Sequence, residues 1–259
     1  MGQGARTAAD SLLCSTSEWD LRTLPGESGV LLMVAENVRF DPAAQVVQQL
    51  IRDGWIGQPA LAQRTREAYL RESFLHDQPW FLQAEAAGGG IMMSGGIHDV
   101  ELLRMALEGE VESVHAVRTR QRFQEMEGDD TSVATLRFSD GTVAVLVESF
   151  LMKSAATAAG EEVHTLRIDG DLGSITLDAG SAIRLYSERP DASLAGARTE
   201  RLLRVPEEDT FLLEAEHFLH CVETGEDPIT DGRSQRRVLQ VVMANYESMR
   251  TGRVVVLTE

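Results

Sequence analysis

The chain has 259 residues, of which 43% are hydrophobic and 25% are charged, so it can bury a large core in one domain or two small ones. Its formal net charge of −17 argues against a nucleic-acid partner, because binding to a phosphate backbone relies on basic surface. With no apolar segment of membrane-spanning length and no secretion-signal pattern at its start, the chain is expected to be cytoplasmic and not membrane-bound.

Cysteine and histidine offer little sign of a metal site. Cys14 and Cys221 lie far apart without metal-ligand spacing, so we expect two free thiols and no disulfide. His217 and His220 have a helical spacing compatible with metal ligation, but apolar residues lie between them. No metal site is therefore predicted. His164 lies in a strand segment without a partner at a suitable spacing, which favours a surface or packing role.

The first part of the chain changes character near residue 29. Residues 1–28 show no clean hydrophobic stripe and are predicted to form an irregular N-terminal arm. Residues 30–34 are a continuous apolar run, which predicts a buried strand. Asp41 followed by Pro42 is typical of a helix start, and Gly54 would end that helix. Residues 58–71 are predicted to form a strand and residues 72–87 a loop.

The segment Gly88–Glu101 reads GGGIMMSGGIHDVE and combines glycines with a helical pattern. The glycines allow the backbone to approach another group closely. Apolar residues at helical spacing then predict a helix with one buried face, namely Ile97, Val100, Leu103 and Leu107.

Within this segment, Ser94 and His98 are four residues apart, and Glu101 is three further on. If the helix already includes Ser94, this spacing places all three on neighbouring positions of one helix face. A histidine there could transfer protons near neutral pH. The alternative is a helix start that packs tightly on a sheet, with His98 as a structural polar residue.

The rest of the chain alternates strands and turns before it ends in two helices. Ser139-Asp140-Gly141 predicts a hairpin between strands at 129–138 and 142–150, and further strands are predicted to follow to residue 205. The second hairpin strand is apolar on both faces, so one face can pack on helices and the other needs a second cover. We therefore predict a homo-oligomer that associates through the sheet face. Helical stripes precede Gly225 and Gly252.

The glycine and histidine positions resemble the signature of the glucose–fructose oxidoreductase / inositol dehydrogenase / MocA (Gfo/Idh/MocA) family. Gly88, Gly89, Gly90, Gly96 and His98 match it, and "LMVAENVRFDP" and "IDGDLGSITLD" are also similar to the family. The resemblance covers residues 30–257 but only the C-terminal half of a typical member. It implies an α+β fold with a large, predominantly antiparallel sheet, helices on one face and an open face for oligomerisation.

By this resemblance, residues 29–259 form the substrate and oligomerisation domain, and residues 1–28 could be a remnant of the nucleotide-binding domain. The implied reaction is hydride transfer between NAD or NADP and a sugar, polyol or related alcohol or ketone. His98 is the implied catalytic residue. The residues implied in substrate binding are Asn37, Arg39, Trp80 and Ser94.

Three features depart from the family pattern. Ser94 replaces the usual catalytic aspartate, and a neutral hydroxyl cannot replace the charge of a carboxylate. Lys153 is the only lysine and lies outside the region of the catalytic lysine. No G-x-G-x-x-G sequence joins a strand to a helix, so the dinucleotide-binding turn is not found.

Two hypotheses follow from these departures. The chain could be the substrate-side half of an oxidoreductase, in which case the cofactor would be bound with a separate nucleotide-binding chain and not by this chain alone. Alternatively, it could be a catalytically silent sugar-binding or oligomerisation module. A truncated gene product would give the same pattern in either case.

Overall fold

The computed structural model describes residues 30–119, 121–158, 161–178, 181–189 and 199–258. These residues form an α+β fold built on one large sheet, as the sequence predicts. The predicted N-terminal arm at residues 1–28, and Cys14 within it, lie outside the described residues. Cys221 is a free, buried thiol.

The sheet has nine strands in the order β8-β7-β6-β5-β1-β4-β3-β2-β9. Neighbouring strands run antiparallel, except for β1 and β4, which are parallel. The sheet is therefore mixed and not purely antiparallel. The single parallel pair places β1 at the centre of the sheet. In chain order the strands are β1 Pro59–Glu67, β2 Val111–Arg118, β3 Thr131–Phe138, β4 Val143–Ser149, β5 Val163–Gly170, β6 Gly173–Asp178, β7 Ala182–Ser187, β8 Thr199–Arg204 and β9 Val255–Val256.

The helices connect and cover these strands. They are α1 Pro42–Arg52, α2 Arg71–His76, α3 Ala84–Ala87, α4 Ile91–Ser94, α5 Gly96–Leu107, α6 Ala155–Ala158, α7 Thr210–Thr224 and α8 Gly232–Thr251, with 3-10 turns at Asn37–Phe40 and Pro79–Leu82. The predicted cap of α1 is confirmed, since the Asp41 carboxylate accepts the Ala43 N–H at 2.8 Å. The loop prediction for 72–87 was wrong, because short helices form there around buried Phe74.

The core lies between one face of the sheet and helices α1, α5 and α8. Val100 and Leu103 of α5 are fully buried, as their helical spacing predicts. Facing them, the inward residues of β4 are also fully buried, whereas its valines on the other face are half-buried. The period-two pattern of β4 therefore separates a core face from a face that none of the described helices covers.

The buried strand predicted at residues 30–34 was wrong. Only Met33 pairs, through one isolated antiparallel bridge to Asp231, and the Val34 N–H donates to the Thr230 carbonyl. Val30 is 63% exposed and Val34 is 38% exposed. Within the described residues no sheet lies beside this apolar run, so its apolar side chains reach the surface next to the loop between α7 and α8.

The glycine run is a tight crossing of two backbone segments. A Cβ on Gly90 would lie 2.0 Å from the Asp129 carbonyl oxygen, and one on Gly128 would lie 2.5 Å from the Gly89 carbonyl carbon. The Ile91 N–H donates to the same Asp129 carbonyl at 2.8 Å. The predicted close approach of the glycines is therefore an approach to the protein's own backbone, which sets the position of the segment leading into α5.

A substitution at this crossing is expected to be costly. Gly90→Ala should lower the free energy of unfolding by about 1–3 kcal/mol or more, because the clashing atoms are backbone and cannot rotate away. Gly109→Ala is the matched control, since its nearest atom is the Phe138 Cδ1 at 3.1 Å, on a side chain that can shift. Denaturant titration of both variants measures the difference. Equal stability of the two variants would contradict the tight crossing.

Candidate functional site

A cavity of about 410 Å³ opens beside the first turns of α5. The 3-10 turn Asn37–Phe40, α1, α5 and the first residue of α7 form one part of its wall, and residues of β1, β5 and β6 form much of the remainder. Hydrogen-bond donors and acceptors line it together, notably Asn37, Asp41, Arg64, Arg66, His98 and His164. A small cavity with several convergent polar groups is the common form of a site for a small polar molecule.

His98 lies at this cavity with 37% of its side chain exposed. Its Nδ1 atom is 2.8 Å and 3.0 Å from the two carboxylate oxygens of Glu36, a residue that is only 3% exposed. The Nε2 atom has no partner among the described residues. Hydrogen bonding to Glu36 raises the pKa of His98, although burial of the ring acts in the opposite direction.

Two arginines reach the cavity from the centre of the sheet. Arg64 and Arg66 are on β1 and point to the face that the helices cover, where Asp99 of α5 lies fully buried. The Arg64 Nε and the Arg66 Nε each donate to the Asp99 carboxylate at 2.8 Å. Burial would raise the pKa of Asp99, but the two guanidinium groups hold it well below its usual range.

A second buried carboxyl group accompanies this cluster. Glu148 of β4 is fully buried, and its nearest cation is the Arg66 Nε at 3.7 Å. Neither oxygen of Glu148 accepts a hydrogen bond from a described donor, but its carboxyl group interacts with that of Asp99. Burial and the nearby Asp99 charge raise the pKa of Glu148 well above its usual range. The two buried carboxyl groups are therefore shifted in opposite directions: the pKa of Asp99 is lowered and the pKa of Glu148 is raised.

His164 also belongs to the cavity wall. Its Nδ1 atom is 3.1 Å from the Arg64 Nη2, and its Nε2 atom is 3.2 Å from the Glu162 carboxylate. The register of β1 with β5 places His164 at the cavity beside the β1 arginines, with 28% of its side chain exposed, and its surface or packing role stays a prediction.

Of the five site residues that the sequence suggested, the cavity contains His98 and Asn37. The Asn37 Nδ2 donates to the Thr210 Oγ1 at 2.9 Å, which ties the 3-10 turn to the start of α7. The roles assigned to these residues from the family pattern stay predictions.

The other three lie outside the residues that line the cavity. Arg39 pairs with buried Glu101 at 3.4 Å, and the Ser94 hydroxyl donates to the Gly90 carbonyl at 3.1 Å. Trp80 is 50% exposed and stacks on Phe81, with ring centroids 3.9 Å apart. Their substrate-binding roles also stay predictions.

The remaining chemically notable residues have other partners. Lys153 lies over the Tyr69 ring, with its Nζ 4.3 Å from the ring centroid. The His217 Nε2 accepts the Ile229 N–H, whereas His220 pairs with Glu226. Over the described ranges, no cluster of three or more His, Cys, Asp or Glu side chains is arranged to hold a metal ion. No helix in the same ranges is long and apolar enough to span a membrane.

The chain is similar over most of its length to known proteins. It is 29% identical over 236 residues to D-apiose dehydrogenase from Paraburkholderia graminis, covering 89% of this chain and 60% of that protein. It is 26% identical over 238 residues to myo-inositol 2-dehydrogenase from Thermotoga maritima, covering 90% of this chain and 66% of that protein. The chain thus spans less than two thirds of the length of either relative.

Solved structures share the fold. Levoglucosan dehydrogenase in complex with NADH and levoglucosan superimposes with a TM-score of 0.79 at 19% identity, covering 92% of this chain and 70% of that chain. The aldose-aldose oxidoreductase from Caulobacter crescentus in complex with glycerol gives a TM-score of 0.74 at 24% identity, covering 90% and 65%.

The family assignment rests on a direct match to a family model. The model of the GFO/IDH/MocA C-terminal domain matches residues 44–176, which run from α1 to β6 and make up just over half of the chain. These residues include the two arginines of β1, the glycine run and His98. The chain therefore belongs to the GFO/IDH/MocA family and contains its C-terminal domain.

Proposed function

We propose that this chain is the substrate-side half of an oxidoreductase that transfers hydride between NAD or NADP and a sugar, polyol or related alcohol or ketone. Family membership supports the proposal, as do the names of relatives that are dehydrogenases of D-apiose and myo-inositol. The observation that carries it is His98, whose Nε2 atom has no described partner and which lies in a cavity lined by hydrogen-bonding side chains.

In this proposal His98 exchanges the hydroxyl proton of the substrate. When an alcohol becomes a ketone, the hydroxyl proton must leave as the carbon loses hydride, and a general base must lie within hydrogen-bonding reach of that hydroxyl. The Nε2 atom of His98 accepts the proton during oxidation and returns it during reduction. Asn37 would bind a further hydroxyl, and Arg39, Trp80 and Ser94 are proposed to contact parts of the substrate outside this cavity.

The described residues do not fit a dinucleotide. They contain no strand–glycine turn–helix unit, and β1 and β4, which form the one parallel pair among the described strands, are not joined by such a unit. The steps assigned to this chain are therefore substrate binding, orientation and proton transfer. NAD or NADP would be held by a separate nucleotide-binding chain.

The exposed apolar side chains of α7 are the proposed docking surface for the nucleotide-binding chain. Phe211 is 69% exposed, Leu219 is 59% exposed and Val222 is 58% exposed. Thr210, the first residue of α7, lines the cavity. An apolar surface this close to the proposed reacting group would bring a partner to the substrate, and such surfaces commonly mark interaction sites.

The test is complementation. The purified chain would be mixed with the separately produced nucleotide-binding domain of the D-apiose dehydrogenase from Paraburkholderia graminis, and NADH formation would be followed with D-apiose, myo-inositol and D-xylose. We expect turnover with at least one substrate only when both polypeptides are present. Saturable sugar binding without turnover in any mixture would instead support the catalytically silent sugar-binding or oligomerisation module.

We also propose that the uncovered sheet face forms a homo-oligomer. Val143, Val145 and Val147 of β4 lie half-buried on that face, and Val133 of β3 pairs directly with Val147. A row of apolar side chains on an exposed sheet face gains free energy when a second copy covers it.

Val145→Glu is expected to abolish this association, because the substitution would bury a carboxylate against the partner's sheet. Sedimentation equilibrium should give a dimer or larger assembly for the wild type and a monomer for this variant. Leu172→Glu, in the exposed turn between β5 and β6, is the matched control and should keep the wild-type mass. A monomeric wild type would contradict the proposal.

A further inference from the structure

We propose that Glu36 is the positioning residue for His98: its carboxylate accepts the Nδ1–H, directs Nε2 into the cavity and balances the charge that the ring gains with a proton. No sequence motif assigns Glu36 this task. The inference rests on the proposed function for the fate of the proton at Nε2, but the contact between Glu36 and His98 can be tested without any substrate.

The burial of Glu36 is the first observation. Its side chain is almost fully buried, and a buried carboxylate is costly unless it is paired and hydrogen-bonded. Both of its oxygens lie at hydrogen-bonding distance from the His98 Nδ1, at 2.8 Å and 3.0 Å. The Oε1 atom also receives the Val38 N–H at 3.4 Å, which holds the carboxylate at the start of the 3-10 turn.

The orientation of the ring is the second observation. A carboxylate can only accept, so the Nδ1 of His98 must carry the hydrogen, and the neutral ring then has its lone pair on Nε2. A hydrogen-bond partner that fixes one ring nitrogen in this way determines which nitrogen is left to exchange a proton with the substrate. Because His98 lines the cavity and its Nε2 has no described partner, this lone pair is available to a bound hydroxyl.

The other charges around His98 do not replace Glu36. Arg66 of β1 disfavours the protonated ring, while Asp99 of α5 favours it weakly and is already bonded to the two arginines of β1. Glu214 of α7 also has an electrostatic interaction with His98, but burial raises the pKa of Glu214 and so disfavours its charged form. Of the carboxylates in the described residues, Glu36 alone is hydrogen-bonded to His98.

The sign of the effect follows from these contacts. Hydrogen bonding to Glu36 raises the pKa of His98 against the opposing effect of burial. Glu36→Gln keeps an acceptor oxygen and the side-chain volume but removes the charge, so the neutral tautomer should persist while the protonated ring loses stabilisation. The midpoint of the His98 titration is therefore expected to move to lower pH.

The experiment is a nitrogen NMR titration of the full chain with ¹⁵N-labelled histidine. We expect the wild-type neutral ring of His98 to carry its hydrogen on Nδ1, and the midpoint to move to lower pH in Glu36→Gln. Glu162→Gln is the matched control: it removes the carboxylate next to His164 in the same cavity and should leave the His98 titration unchanged.

Two results would overturn the proposal: a wild-type ring with its hydrogen on Nε2, or the same midpoint in Glu36→Gln and wild type. The tautomer is read on the wild-type chain alone, so it decides the matter even if Glu36→Gln fails to fold. In the complemented enzyme, the rise of kcat/KM with pH for alcohol oxidation should shift to lower pH in Glu36→Gln. An NMR shift without turnover would leave the positioning role intact and contradict only the proposed function.

Discussion

Replacing Asp99 by asparagine is expected to lower the free energy of unfolding by about 3–5 kcal/mol, because it leaves buried cations without their shared carboxylate. Arg64 and Arg66 both donate to Asp99; the side chains of Asp99 and Arg64 are buried, and that of Arg66 is 15% exposed. The amide of asparagine can accept hydrogen bonds, but it carries no charge to balance two guanidinium groups.

Chemical denaturation of the wild type and of Asp99→Asn measures this loss. Glu148→Gln is the matched control in the same cluster: since burial and Asp99 favour the protonated carboxyl of Glu148, a neutral amide should cost little there. Comparable losses for the two variants would contradict the assignment of the charge to Asp99.

The loss should also depend on pH in a defined direction. The pKa of Asp99 is lowered in the folded chain, so its stabilising contribution is complete above the usual aspartate pKa of about 4 and disappears as the pH falls through the folded value. The difference between the wild type and Asp99→Asn should therefore be constant near neutral pH and shrink only in strong acid.

Replacing His98 by glutamine is expected to lower turnover of the complemented enzyme by about 10²–10⁴-fold, the usual contribution of a general acid–base residue. Glutamine can still form hydrogen bonds to the substrate and to Glu36, but it cannot accept the hydroxyl proton. Because the His98 side chain is partly exposed, the fold should be kept, which circular dichroism would check.

His164→Gln provides the control for this loss. His164 lines the same cavity, but its two ring nitrogens face Arg64 and Glu162, so neither is directed at the substrate in the way proposed for His98. Steady-state kinetics of both variants should show a much larger fall in kcat for His98→Gln. A similar fall for both would point to general damage to the cavity instead of a specific proton transfer.

Local sequence signals predicted the elements that frame the site. The cap at Asp41, the hairpin turn after Ser139 and the apolar stripe of α5 each depend on residues within a few positions of one another. His98 was suggested for the same reason, since the glycine run and the helix start are continuous in sequence. Predictions of this kind do not depend on contacts between distant segments, because the structure that each pattern specifies is local.

The rest of the site depends on contacts between distant segments. Glu36 meets His98 across 62 positions, and Arg64 meets His164 across 100. One signal was available: Arg64 and Arg66 share the face of β1 that also carries buried Ala62, so the strand period places two cations where apolar residues are usual. The buried strand predicted at residues 30–34 was wrong because an apolar run does not show whether a neighbouring strand is present.

The central proposal is that these residues form the substrate side of the enzyme and do not bind the dinucleotide by themselves. Calorimetric titration of the purified chain with NADH and with NADPH tests it most directly, with the nucleotide-binding domain of the D-apiose dehydrogenase from Paraburkholderia graminis as the positive control. We predict no detectable binding of either cofactor by the chain alone and clear binding by the control. Micromolar binding by the chain alone would contradict the claim and would mean that the chain contains a dinucleotide site of its own.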